Sequence, residues 1–292
     1  MSNFVERESL ENYLETLLML QKKQERVRAI DIASALQFSR ASVSRAIHKM
    51  REAGYLTLDA TLTFTAEGLK VAHEVVRRHE LLTKFFVVVS GVEAPLASRC
   101  ACRVEHVISR ETAQGIGKFL VAKGVSPDLA TEVTSYLPEA DERLESEEDY
   151  LEAIYVLILK KQEVRAVDVA RDLGLTRASV SRGLALLKEK GLIEVTANGL
   201  LLLTVNGTEL AEKIWEKHQA ISTLLAVTTG IDDKTASREA CRIEHMISDE
   251  VYAGIKLFLT ELGKKSPTSI GGEDVTTGVE RSKKLTTKTI GS

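Results

Sequence analysis

Apolar residues recur at helical spacing in successive blocks of the chain. Residues 8–23, 30–37, 41–53, 66–88 and 95–120 read as amphipathic helices, and the pattern has an equivalent in the second half. Between the third and fourth blocks, "YLTLDATLTFT" is β-branched and apolar and reads as a short hairpin. Three helices followed by a hairpin are the element order of a winged helix-turn-helix. The predicted fold is mainly α with small β-hairpin wings. It holds two winged helix-turn-helix domains, each followed by a helical region.

The second half repeats the first in its letters as well as its pattern. "NYLETLLML" at 12–20 returns as "DYLEAIYVL" at 149–157, and "VRAIDIASALQFSRASVSR" at 27–45 returns as "VRAVDVARDLGLTRASVSR" at 164–182. The offset is 137 up to the hairpin and 139 beyond it, as in Thr65/Thr204, Gly68/Gly207 and His79/His218. The extra residues fall where the second copy reads "VTANGLLLL", and Asn198-Gly199 is a two-residue hairpin signal. Divergence is uneven: 11 of 15 positions are identical between 97–111 and 236–250, the stretches containing "ACRVEHVIS" and "ACRIEHMIS".

The predicted boundaries are a first winged domain at 1–75, its helical region at 76–137, a second winged domain at 138–212, its helical region at 213–264, and a tail at 265–292. The tail is rich in Thr, Gly, Ser and Lys with few large apolar residues, and is expected to be disordered. No third domain is expected after either half.

Composition narrows the setting only slightly. The 292 residues are 44% hydrophobic and 28% charged, enough for two packed domains. No apolar run is long enough for a bilayer, and the acidic N-terminal stretch lacks the layout of a signal peptide, so no membrane partner is expected. Three cysteines make no disulfide framework, which points to a reducing cytoplasm. With a net charge of −3, any nucleic-acid binding must rest on a local basic patch.

Such a patch lies on the third helix of each copy. In "FSRASVSRAIHKMREA", Val43, Ile47 and Met50 share an inward face, while Arg45 and His48 point away from it. Ser39 can cap the helix and leave its amides near a phosphate. In the second copy Val180, Leu184 and Leu187 form the inward set and Arg182 the outward arginine. An outward arginine on a recognition helix suits guanine in the major groove; the serines and earlier arginine suit phosphates. The candidate DNA contacts are Ser39, Arg40, Ser42, Ser44, Arg45 and Lys49, with Thr176, Arg177, Ser179, Ser181 and Arg182 in the second copy. A solvated amphipathic helix would show the same wheel. The recurrence of "RASVSR" between a short helix and a hairpin favours double-stranded DNA.

Cys241, Glu244 and His245 stand at i, i+3 and i+4, as do Cys102, Glu105 and His106, so each triplet is expected on one helical face. Thiolate, carboxylate and imidazole together favour a first-row divalent ion over Ca(II) or Mg(II). Asp149, Glu152 and His218 could complete the ligand set of the second-half triplet. Each residue alone reads more plainly as a solvated acid, an ordinary helix-start acid or a buried thiol.

Each half resembles the DtxR/MntR family of iron- and manganese-dependent regulators. The resemblance rests on "EEDYLEAIY", "RASVSR", the wing, "KHQAI" and "ACRIEHMIS", and on "LENYLETLL", "RHELL" and "ACRVEHVIS" in the first half. It implies a metal-dependent DNA-binding transcriptional regulator, with repression the expected effect. The implied ligands are Asp149, Glu152, His218, Cys241, Glu244 and His245 in the second half, and Glu15, His79, Cys102, Glu105 and His106 in the first. Mn(II) or Fe(II) is the implied ion, with Zn(II) or Co(II) as alternatives. The duplication implies an intramolecular pseudo-dimer, or a homodimer of the fused chain, on a palindrome-like operator.

Three departures qualify the resemblance. Asn12 replaces the aspartate of the second copy and offers only a neutral carbonyl, which should weaken the first site. Thr83 and Ser222 stand where the iron-sensing branch carries an ancillary carboxylate, so that ancillary site is not carried over. The cysteines match the iron-sensing branch, whereas Asp149 and His218 match the manganese-sensing one. The rival readings are a metal-independent winged-helix regulator, a metallohydrolase and a metal-storage module. No Gly-rich oxyanion loop or spare base supports the hydrolase, and the protein is expected not to be an enzyme.

Overall fold

The computed structural model describes residues 2–59, 61–125, 147–161 and 163–263, with side chains from Leu10 onward. The predicted tail and residues 126–146 lie outside these residues. The first half runs α1 (Ser2–Gln21), α2 (Ala29–Leu36), α3 (Arg40–Glu52), α4 (Ala66–Ser90), α5 (Ala94–Val104) and α6 (Arg110–Ala122). The second runs α7 (Glu147–Lys160), α8 (Ala166–Leu173), α9 (Arg177–Glu189), β1 (Ile193–Val195), β2 (Leu201–Leu203), α10 (Val205–Thr229), α11 (Asp233–Ile243) and α12 (Asp249–Glu261).

Local chemistry sets the ends of the turn between the paired helices. Ser39 Oγ accepts from Ser42 N at 3.1 Å, and Thr176 Oγ1 accepts from Ser179 N at 3.1 Å, so each third helix starts at a hydroxyl cap. The preceding helix ends in left-handed backbone at Gln37 in one copy and Gly174 in the other. Val43, Ile47 and Met50 then bury against Leu14, Leu17 and Ile32, and Val180, Leu184 and Leu187 against Leu151, Ile154 and Val169. The predicted inward faces are the observed ones.

The two wings differ in how they are held. In the second copy β1 and β2 pair antiparallel with Ile193 opposite Leu203. In the first, a single bridge joins Leu56 and Phe64. Arg51 compensates there: its guanidinium donates to the carbonyls of Thr57 (3.2 Å) and Asp59 (2.7 Å). Asn198-Gly199 is not the central pair of a two-residue loop. Gly199 N donates to Thr196 O at 2.9 Å, so Ala197 and Asn198 are central and Gly199 follows with φ of +79°. Asn198 keeps a negative φ, which a two-residue turn of the predicted kind would not allow.

The block 95–120 is two helices, not one. The chain leaves α5 at Val104, and Ser109 starts α6 by accepting from Thr112 N at 3.3 Å. Glu105 is therefore the C-cap of α5, and His106 lies in the turn beyond it. Glu244 and His245 occupy the same turn after α11. The predicted single helical face for each triplet gives way to one helical ligand followed by two at a helix end.

The described residues form two compact units. One draws on described residues within Met1–Glu142, with Leu225–Asp232 and His245–Gly254; the other draws on described residues within Arg143–Leu224 and Ile255–Ser292, with Asp233–Glu244. Within the first unit, two glycines make reciprocal close approaches. A Cβ on Gly115 would stand 2.4 Å from Thr229 Cβ, and one on Gly254 would stand 2.0 Å from Ser90 O. Gly115 and Gly254 are repeat equivalents, as are Ser90 and Thr229. Each winged domain also seats its fourth helix on a glycine, since a Cβ on Gly68 would meet Tyr55 O at 1.9 Å and one on Gly207 would meet Leu192 O at 1.9 Å. Replacing Gly68 with alanine is expected to push α4 off the wing and cost about 1–3 kcal/mol, as overpacking does. Thermal unfolding followed by circular dichroism should show a lowered midpoint; an unchanged midpoint would mean that the contact is loose.

Candidate metal centre and DNA-reading helices

Three elements of the first half converge on one point. α1 brings Glu15, α4 brings His79, and the end of α5 brings Cys102 and Glu105, with one ligand atom of each within 4.8 Å of the others. His79 Nδ1 lies 2.8 Å from Glu105 Oε2 and 3.8 Å from Glu15 Oε1, and its Nε2 lies 2.8 Å from Ser98 Oγ. Ser98 thus fixes the ring so that Nδ1 faces the carboxylates. Glu105 is wholly buried, and its Oε1, which accepts no hydrogen bond, lies 3.3 Å from His106 Nε2.

The second half builds the same point from α7, α10 and α11. Glu152, His218, Cys241 and Glu244 gather within the same 4.8 Å limit. His218 Nδ1 lies 2.8 Å from Glu244 Oε2 and 3.2 Å from Glu152 Oε1, with Nε2 3.0 Å from Ser237 Oγ. Trp215 stacks on the imidazole, ring centroids 5.4 Å apart and planes 11° from parallel. That stacking covers a ring face and leaves the ring edge to the ligands.

The electrostatics of both sites point to a missing positive charge. Burial raises Glu15, the charge of Glu105 adds to this, and together they carry it to about 7. His79 is raised chiefly by its hydrogen bond to Glu105. Burial alone would lower His218, but hydrogen bonds to Cys241 and Glu244 and the charges of Glu152 and Glu244 outweigh it, pushing it to about 10. A proton on His218 is therefore the counter-charge that the carboxylates hold, and an ion bound there must displace it. Two carboxylates, an imidazole and a thiol gathered in each cluster, the second the more buried, fit a divalent transition ion by donor chemistry.

The remaining predicted ligands sit beside these clusters. His106 stands between the cluster and α1: Nδ1 lies 2.9 Å from Glu11 Oε2, and Nε2 lies 3.0 Å from Asn12 Oδ1 and 3.3 Å from Glu105 Oε1. Asp149 is buried on α7, and His245 follows Glu244 in the turn after α11. Sequence reasoning missed Glu11 and Arg78, both buried and joined at 3.0 Å. Their signal was faint, an acid just before Asn12 and an arginine just before His79.

The DNA-reading candidates line the outer face of the third helices. Ser39, Arg40, Ser44, Arg45 and Lys49 are exposed and Ser42 is half-buried; Thr176, Arg177, Ser181 and Arg182 are exposed and Ser179 is half-buried. Arg45 reaches back to Ser42 Oγ at 3.5 Å, and Arg182 Nε donates to Ala178 O at 3.4 Å. Both arginines thus lie along their helix, in reach of a groove that receives it. His48 pairs with Glu52 at 3.3 Å on the same helix.

Comparison with known proteins matches this layout in duplicate. Residues 7–60 and 144–199 each match the family profile described as "Iron dependent repressor, N-terminal DNA binding domain". Residues 65–131 and 204–267 each match "Iron dependent repressor, metal binding and dimerisation domain". An HTH-type transcriptional regulator of Methanocaldococcus jannaschii is 34% identical over 41% of this chain and 98% of its own length. Transcriptional regulator MntR of Escherichia coli is 36% identical over 42% of this chain and 79% of its own length. The diphtheria toxin repressor of Corynebacterium diphtheriae is 32% identical over 41% of this chain and 54% of its own length. Each relative spans less than half of this chain, as a single-copy relative of a doubled protein would. With both domains of the profile matched twice, the chain belongs to the iron-dependent repressor family, the DtxR/MntR regulators, as a tandem duplication.

Proposed function

We propose that the protein is a metal-dependent DNA-binding transcriptional regulator, a repressor, that senses divalent Mn or Fe. The observation that carries this reading is the origin of the ligands. Glu152 comes from the first helix of a winged domain, whereas His218, Cys241 and Glu244 come from the long helix and helix end outside its core. A divalent ion would supply the positive charge that these groups lack. Because the ligands lie on separate elements, the docked arrangement alone offers them all, and binding shifts the population toward it. Docking fixes where the recognition helix stands, and so whether it meets its half-site.

Asp149 and His245 are proposed as further ligands of the second half. Their repeat equivalents, Asn12 and His106, stand 3.0 Å apart in the first half. Replacing that amide by a carboxylate turns a neutral acceptor into a charged donor. His106 itself is proposed as a weaker ligand, since its Nδ1 faces Glu11 and its Nε2 is shared between Asn12 and Glu105.

The two copies are proposed to act as an intramolecular pseudo-dimer. The reciprocal approaches of Gly115 to Thr229 and of Gly254 to Ser90 have the form of an isologous contact, with each patch meeting its own equivalent. Arg103 adds a bond to His245 O at 3.0 Å. The two heads differ, the first carrying Arg45, His48 and Lys49 where the second carries Arg182, Ala185 and Leu186. They would read an imperfect palindrome, the first head supplying more of the electrostatic affinity.

DNA upstream of the protein's own gene, assayed anaerobically at fixed salt, should bind only when Mn(II) or Fe(II) replaces EDTA. Binding in EDTA would establish the metal-independent regulator instead. Glu244→Ala should abolish the metal response while leaving thermal stability within about 1–2 kcal/mol, typical of a single substitution. Glu105→Ala should have a smaller effect on the same curve, and equal losses would contradict unequal sites. Sedimentation at low micromolar concentration should give one chain of 32.1 kDa; twice that mass would replace the pseudo-dimer by a dimer of fused chains.

A further inference from the structure

A second buried cluster lies next to the first metal site and contains its own cation. Arg78, on α4, is 1% exposed. Its Nη2 donates to Glu11 Oε2 on α1 at 3.0 Å, and its Nη1 donates to the backbone carbonyl of Glu105 at 2.7 Å. The same Glu11 oxygen faces His106 Nδ1 at 2.9 Å, while His106 Nε2 faces Asn12 Oδ1 at 3.0 Å. One carboxylate, one guanidinium and one imidazole thereby tie α1, α4 and the turn after α5. These are the elements that the neighbouring metal site would join.

The tie is costly to open. Moving α1 away would strand a guanidinium and a carboxylate in a dry interior, each stripped of its partner. Glu74, one helical turn before Arg78, is buried as well, and its carboxyl feels the charges of both Arg78 and Glu11. The forked geometry matters, because two nitrogens of one rigid plane serve a carboxylate on one element and a carbonyl on another.

The second half keeps Glu148 in place of Glu11 and His245 in place of His106, and changes the cation of the tie. Lys217 replaces Arg78 and is half-buried rather than enclosed; exposed Lys213 replaces Glu74; Asp149 replaces Asn12. A lysine carries a point charge without the fork, so it cannot hold the two acceptors in one fixed geometry.

We propose that Arg78 is a positioning residue that keeps the first winged domain docked without metal, so that metal-driven docking is confined to the second half. This rests on the metal-switch reading above for the second half only. The regulator is then one pre-set head and one switched head in a single chain. It would need fewer ions to reach its binding-competent state than a pair of identical switched halves.

Single-molecule energy transfer in the full chain tests this without DNA. Dyes carried by non-canonical residues at 44 and 118 report on the first half, and dyes at the equivalent positions 181 and 257 report on the second. All four positions are exposed. The first pair should give one narrow distribution in EDTA that Mn(II) leaves unchanged. The second should be broad in EDTA and narrow with Mn(II). Arg78→Lys should broaden the first pair in EDTA and make it narrow on adding Mn(II), with circular dichroism confirming the fold. If that variant does not fold, Glu11→Gln removes the same charge pair with little change of shape. A first pair that is broad in EDTA in the unsubstituted chain would overturn the proposal, as would an Arg78→Lys chain in which it stays narrow. If Mn(II) moves neither pair while Arg78→Lys still broadens the first, the metal switch fails and the tie stands.

Discussion

The structure turns on a buried carboxylate at the end of a short helix. Glu105 and Glu244 cap α5 and α11 where those helices meet the long α4 and α10, and each faces an imidazole 2.8 Å away. A carboxylate so enclosed keeps its charge only if a cation or proton stands against it. In the apo state that partner is the histidine proton, which is why His218 is held up to about 10. A divalent ion can replace one proton and satisfy several donors at once.

That constraint also explains the uneven divergence of the two copies. The winged cores need only apolar residues of suitable volume, so Val43/Val180 persists while Ile47/Leu184 and Met50/Leu187 interchange. The stretch around the carboxylate has no such latitude. Ala101 and Ala240 are fully buried beside the ligands, Ser98 and Ser237 each orient a histidine, and Cys102 and Cys241 reach the cluster from the last turn. A side chain of different size or polarity at any of these positions would displace a ligand.

Most of the fold was legible in the sequence because its signals are local. The caps at Ser39 and Thr176 and the inward faces of α3 and α9 follow from residues within a few positions of one another. Two features were not. The break between α5 and α6 was hidden because Val104, Val107 and Ile108 continue an apolar pattern through the turn, and all three are buried. The Arg78–Glu11 pair joins residues 67 positions apart, and an arginine beside a histidine in a polar run reads as solvent-facing. The Cys, Glu and His triplets could be named as candidate ligands because the repeat spelled them twice, and Glu15 and His79 came from the family resemblance, but the arginine that distinguishes the halves lies where the copies disagree.

Fusion is what makes such disagreement tolerable. In a homodimer every substitution appears at both heads, so a change that docks one winged domain permanently docks the other and removes the switch. In one chain the copies vary independently while the reciprocal contacts of Gly115 and Gly254 keep the same geometry. Asn12 could then replace an acid, and Arg78 could become enclosed, without cost to the second site. A permanently set head contributes the same phosphate contacts at every metal level, which raises the baseline affinity for DNA. The switched head then decides occupancy by its own half-site alone. The response to metal becomes shallower than that of a symmetric pair, because one docking step is coupled to ion binding instead of two.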